Sequence, residues 1–150
     1  MSVQQVIYDR LVNWQGLTDL LTNSIINSAR PAVYDFWAPE DTEMPYVNMT
    51  LDLPGDNVDL YKVNGSLSID IFVTDRDTLK AEEILREVRK ALLSGDYSKS
   101  PRDGTIRIYP APGGSGFVPE DKPEIVHYSA SFDVIYWDAE LIETITEGGH

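Results

Sequence analysis

The chain has 150 residues, 42% of them hydrophobic, with 25 acidic against 12 basic residues and a net charge of -13. That length suits one domain, residues 1–150, able to bury roughly two-thirds of the surface its unfolded form would expose. The charge disfavours sequence-specific nucleic acid and anionic membranes as partners, the lack of cysteine excludes disulfides and thiolate chemistry, and no apolar run approaches the roughly 20 residues of a membrane span.

Met1 to Arg10 interleave Gln, Asp and Arg among Val and Ile, which is no signal-peptide core, so folding in the cytoplasm is the expectation. Val3, Val6, Ile7, Leu11 and Trp14 recur at helical spacing and predict an amphipathic helix that Gly16 breaks. A second short helix is predicted with Leu17, Leu20, Leu21, Ile25 and Ile26 on its inner face, ending at Ser28 to Pro31. Ala32 to Trp37 is aromatic and β-branched with prolines beyond both ends, which predicts an edge strand. Tyr46 to Leu53 alternates as a half-buried strand. After a bend at Pro54 to Asn57, Val58 to Val63 leads into Asn64-Gly65, a pair suited to a two-residue hairpin because both positions need positive φ. The return strand, Ser66 to Thr74, puts Leu67, Ile69, Ile71 and Val73 on one face and Ser66, Ser68 and Asp70 on the other, with Phe72 the exception.

Asp75 or Asp77 can cap the next helix, whose inner face is Ala81, Ile84, Leu85, Val88, Ala91 and Leu92 and whose stop signal is Gly95. The cluster Asp75-Arg76-Asp77 reads as a capping turn and not as a charged site. Beyond the polar stretch 96–103, Thr105 to Tyr109 predicts a short strand. It runs into 110–123, a segment with four prolines and three glycines that reads as a long irregular loop. Ile125 to Trp137 predicts a central strand with Val126, Tyr128, Ala130, Phe132, Val134 and Tyr136 on one face. An acidic tail, 139–150, can dock as a short helix or fray. The fold class is therefore α+β: a mainly antiparallel sheet, an N-terminal helical segment, and one central amphipathic helix packed on one face.

Signals for chemistry are weak. His127 and His150 are the two imidazoles, and His127 reads as an ordinary exposed or hydrogen-bonded residue on the polar face of its strand. Pro112 to Phe117 superficially resembles glycine-rich nucleotide-binding loops and serine elbows. However, Phe117 stands where a serine elbow needs glycine, and no lysine follows as a phosphate-binding loop requires. The carboxylates lack calcium-loop spacing. No catalytic residue, cofactor or metal site is expected. The aromatics are more informative, because such residues bury large areas in protein interfaces; Trp37, Tyr109, Phe117 and Trp137 are the interface candidates.

The order of these elements resembles the tail-completion, or tail-terminator, proteins of long-tailed bacteriophages and prophages. The resemblance lies in the helix and leucine-rich turn from Ile7 to Leu21, the aromatic first strand, Met44-Pro45-Tyr46-Val47 opening the next strand, the expected hairpin around Asn64-Gly65, Ser68 to Val73, the single amphipathic helix, and the closing strand ending Phe132-Asp133-Val134-Ile135-Tyr136-Trp137. It spans about Val3 to Trp137, as a pattern of elements and not a signature motif. It implies a non-enzymatic subunit made in the host cytoplasm and built into the virion tail. That subunit forms a homo-oligomeric ring, commonly a hexamer, at the head-proximal end of the tail tube, contacting the tube protein and the head-tail connector. The long segment 110–123 and the acidic extension depart from the pattern. The alternative reading is a small cellular ligand- or peptide-binding module without catalysis.

Overall fold

The computed structural model describes residues 3–53, 62–93 and 105–137. In chain order the elements are α1 (Val3–Val12), α2 (Gln15–Thr18), β1 (Val33–Asp35), β2 (Tyr46–Asp52), β3 (Lys62–Val73), α3 (Thr78–Leu93), β4 (Thr105–Val118) and β5 (Val126–Trp137). The strands form one five-stranded sheet in the order β1-β2-β3-β5-β4. All pairs are antiparallel except β1 with β2. This is the α+β, mainly antiparallel architecture that the alternating segments predict.

Period-2 alternation sends one face of each strand inward. Val47 and Met49 of β2, Leu67, Ile69, Ile71 and Val73 of β3, Ile106 and Ile108 of β4, and Val126, Ala130, Phe132 and Val134 of β5 are all buried. Helix α3 covers this face above β3, β5 and β4, and α1 packs beside it against α3 and β1. Every residue of the predicted inner face of α3 is buried, as are Val3, Ile7 and Leu11 of α1. Removing each Val, Leu, Ile, Met or Phe side chain among them from water is worth about 1.5–3 kcal/mol, and together with the alanines they form one continuous cluster.

The helix ends have identifiable partners. Asp77 accepts the Lys80 amide at 3.0 Å and so caps α3, while Asp75 and Arg76 enter it in the left-handed region, at φ 61 and 56. At the other end Arg10 of α1 donates Nε to the Ala91 carbonyl at 2.7 Å, satisfying one of the carbonyls a helix terminus leaves over. Trp14 donates its indole N–H to Glu87 at 2.9 Å. Gly16 permits that approach, since a Cβ there would stand 2.4 Å from Glu87 Oε2.

Four expectations are corrected. Asn64-Gly65 is not a hairpin turn but lies inside β3, opposite Ile135 and Val134. β2 is already paired back to Ser66 at Asp52, so the reversal falls between these strands, and a Cβ on Gly65 would stand 2.4 Å from the Asp52 carbonyl. Much of 110–123 is strand: β4 continues to Val118, with a register break between Pro110 and Ser115. Prolines are tolerated there because β4 is an edge, where a missing N–H costs no second ladder. The second helix is a single turn, and Ile25 and Ile26, assigned to its inner face, are exposed. Gly16 lies within that turn; α1 ends earlier, at Val12. The bend at Pro54 to Asn57, the stop at Gly95, the stretch 96–103 and the tail 139–150 lie outside the described residues.

Candidate assembly surfaces

Among the described residues, helices cover one side of the sheet, leaving two edges and one open face. At the β1 edge a buried serine organises the approach: Ser24 Oγ accepts the amides of Ile26 and Asn27 at 3.1 and 3.3 Å. The hydroxyl of buried Tyr34 accepts the Ile25 amide at 3.1 Å. These bonds fix the loop that carries Ile26 into solvent at 73% exposure. Strand β1 then stops at Asp35, because Phe36 turns to φ 67. A non-glycine residue in this region costs roughly 1–2 kcal/mol, and two bonds to β2 hold it there. The Phe36 amide donates to Met49 at 2.6 Å, and its carbonyl accepts Asn48 Nδ2 at 3.1 Å. The result is an exposed pair, Phe36 at 74% and Trp37 at 68%. Between them and α1 lies a cleft of about 350 Å³ lined by Tyr8, Ile26, Arg30, Tyr34, Asp35 and Trp37. The Arg30 guanidinium lies 5.8 Å from the Tyr8 ring centre, and burial pushes the Asp35 carboxyl above its usual range.

The opposite edge is β4. Tyr109 and Phe117 are exposed there at 48% and 59%, and Phe117 meets Tyr128 edge-on, with ring centres 6.2 Å apart. Ser115, beside the register break, receives a hydrogen bond from Arg89 of α3.

The open face follows the register of the central strands. One row carries Tyr46, Phe72, His127 and Val118, and the next carries Asn48, Asp70, Ser129 and Gly116. Phe72, the residue that broke the predicted alternation, is a member of a stack. Its ring lies 4.8 Å from Tyr46 and 4.2 Å from His127, nearly parallel to both, and Tyr34 meets Tyr46 edge-on at 5.9 Å. Burial first, then the nearby Glu120, Tyr34 and Asp70, raises the Tyr46 hydroxyl above its ordinary value. His127 Nε2 is 2.8 Å from Asp70 and Nδ1 is 2.8 Å from Glu120. Both ring nitrogens are thus engaged by carboxylates of the fold itself. The Asn48 Oδ1 is buried with no hydrogen-bond partner among the described residues.

Of the four interface candidates read from sequence, Trp37 stands on one edge and Tyr109 and Phe117 on the other. Trp137 ends β5 opposite Lys62 and Thr105; its side chain is outside the described set. Sequence reading missed Phe36, Ile25 and Ile26. The signal for Phe36 was present, since it extends a Tyr-Asp-Phe-Trp run next to Pro39, but nothing in that run marks a positive φ. Among the described residues no group of three or more His, Asp or Glu is placed to hold a metal ion, and no helix is long and apolar enough to cross a membrane.

No protein-family model and no curated protein sequence matches the chain. Among solved structures, the fold is similar to a chain of the virion of a native gene transfer agent particle, with a TM-score of 0.69 and 17% identity over 90% of this chain and 94% of that one. At that identity the likeness is one of fold.

Proposed function

We propose that this chain is a structural subunit of a phage-like virion: a tail terminator that assembles into a ring, six-fold as is common in such proteins, at the head-proximal end of the tail tube. There it stops tube elongation and joins the tube protein to the head connector. The observation that carries this reading is the placement of exposed apolar side chains at the two opposite edges of one sheet, Ile26, Phe36 and Trp37 beyond β1 and Tyr109 and Phe117 on β4. Two different surfaces on opposite sides of a subunit favour head-to-tail contacts, and such contacts close into rings when the rotation between copies permits. The similarity in fold to a gene transfer agent virion chain supports a particle component, and the order of elements supports the tail terminus in particular.

The test is the oligomeric mass by light scattering across concentration and salt, with negative-stain images of the same samples, alone and with tail tubes. Rings with a central hole support the proposal. A chain that stays monomeric both alone and with tubes overturns it.

A further inference from the structure

The Asp70, His127 and Glu120 cluster joins two parts of the fold that the sheet ladder does not. Asp70 belongs to β3, whereas Glu120 belongs to the connection leaving β4, and His127 sits between them at the start of β5. The carboxylates approach opposite nitrogens of one ring, so they diverge from each other and cannot converge on a metal ion with it. They can share a proton-dependent bond. A neutral imidazole has one N–H and one bare nitrogen; it can donate to one carboxylate and must turn a lone pair toward the other, whereas the imidazolium donates to both.

We propose that His127 is a protonation-dependent latch, which as the imidazolium pins the β4–β5 connection to β3 through Glu120 and Asp70, and on deprotonation releases residues 119–121. The groups facing the ring are Asp70 from β3, Glu120 from the connection, and the Phe72 ring stacked on it with Tyr46 of β2 beyond. Deprotonation leaves Asp70 and Glu120 as two negative charges about one ring with no positive charge between them. The released stretch is short because the connection has other anchors: Ile125 donates to the Lys122 carbonyl at 3.1 Å and Arg76 to the Glu124 carbonyl at 3.0 Å.

The sign of the pH effect follows from the surroundings. Burial by itself lowers the affinity of His127 for its proton, but the hydrogen bonds and charges of Asp70 and Glu120 outweigh it, and the net shift is upward from 6.5. A raised folded-state value means that the stabilisation is complete below the ordinary histidine range and is lost as pH rises through the raised value.

The experiment is an NMR titration of the full chain from about pH 5.5 to about pH 9, across the histidine range, following the His127 ring and the backbone amides of Glu120, Asp121 and Lys122. In the wild type the ring is expected to titrate above 6.5, with the three amides shifting at the same midpoint. Glu120→Gln, at a partly exposed site where folding is retained, is expected to lower the ring midpoint by about one pH unit, a tenfold loss of proton affinity, and to uncouple the amides from it. Asp70→Asn is expected to lower the midpoint as well. An unchanged midpoint in Glu120→Gln, or wild-type amides that ignore the ring titration, overturns the latch.

Discussion

Single residues decide several features that no element-level pattern contains. Gly65 is the clearest. Asn64-Gly65 has turn chemistry, yet the glycine is spent on a close approach, with the Asp52 carbonyl and Leu53 side chain occupying the space a Cβ would need. Because those contacts include backbone, a shift of strand β2 would be required to admit a methyl. Gly65→Ala is therefore expected to destabilise by about 1–3 kcal/mol, the usual cost of overpacking, measured by urea denaturation. A neutral result would show that the start of β3 moves freely. Phe36 makes the complementary point: its left-handed backbone is held by Met49 and Asn48 of β2, so the side chain's exposure is fixed by its neighbour strand and not by its own sequence preferences.

At the level of elements, α3 is the piece whose character the sequence states most fully. Its six inward residues repeat at three- and four-residue spacing, and they bury against β3, β5 and β4. Ile84 is fully buried at the middle of this stripe. Ile84→Ala is expected to cost about 2–5 kcal/mol, through lost transfer energy and the cavity left behind, visible as a lower urea midpoint with an unchanged slope. A loss below about 1 kcal/mol would mean that the helix collapses onto the sheet to fill the space. β4 teaches the opposite lesson. Its prolines and glycines argue against a strand, and they would be right at any interior position of the sheet.

For the whole molecule, the proposed ring predicts that the two edges are separate, complementary halves of one contact. Trp37→Ser and Phe117→Ser are each expected to abolish rings while changing monomer stability by no more than about 0.5 kcal/mol, as surface substitutions do. An equimolar mixture of the two is expected to give dimers that cannot grow, because each variant keeps the edge the other has lost. A mixture that remains monomeric counts against the head-to-tail contact. If the sheets stand edge to edge around the ring, the open face carrying Asp52, Asp70 and Asp133 would line the opening and repel DNA passing through it. The double substitution Asp52→Lys with Asp133→Lys is then expected to make assembled rings retain DNA at low salt, with retention falling as salt rises. Equal behaviour of variant and wild-type rings would place these residues away from the opening.

The sequence by itself determined the fold class, the inner faces of α1, α3 and β2, and the alternation of β3 and β5, because burial on one side of an element imprints a period of 3.6 or 2 on the residues that build it. It also supplied Trp37, Tyr109, Phe117 and Trp137 as interface candidates, and the structure adds that the first three are exposed. Only the tertiary structure decided that β4 is an edge and can hold its prolines, that Asn64-Gly65 lies within a strand, that Ile25 and Ile26 face solvent, and that Phe72 belongs with Tyr46 and His127. The last case shows why. Phe72 and His127 are 55 positions apart in the chain and adjacent in the sheet, and the register that joins them is set by pairing between strands, a non-local quantity that the local periodicity of either strand does not encode.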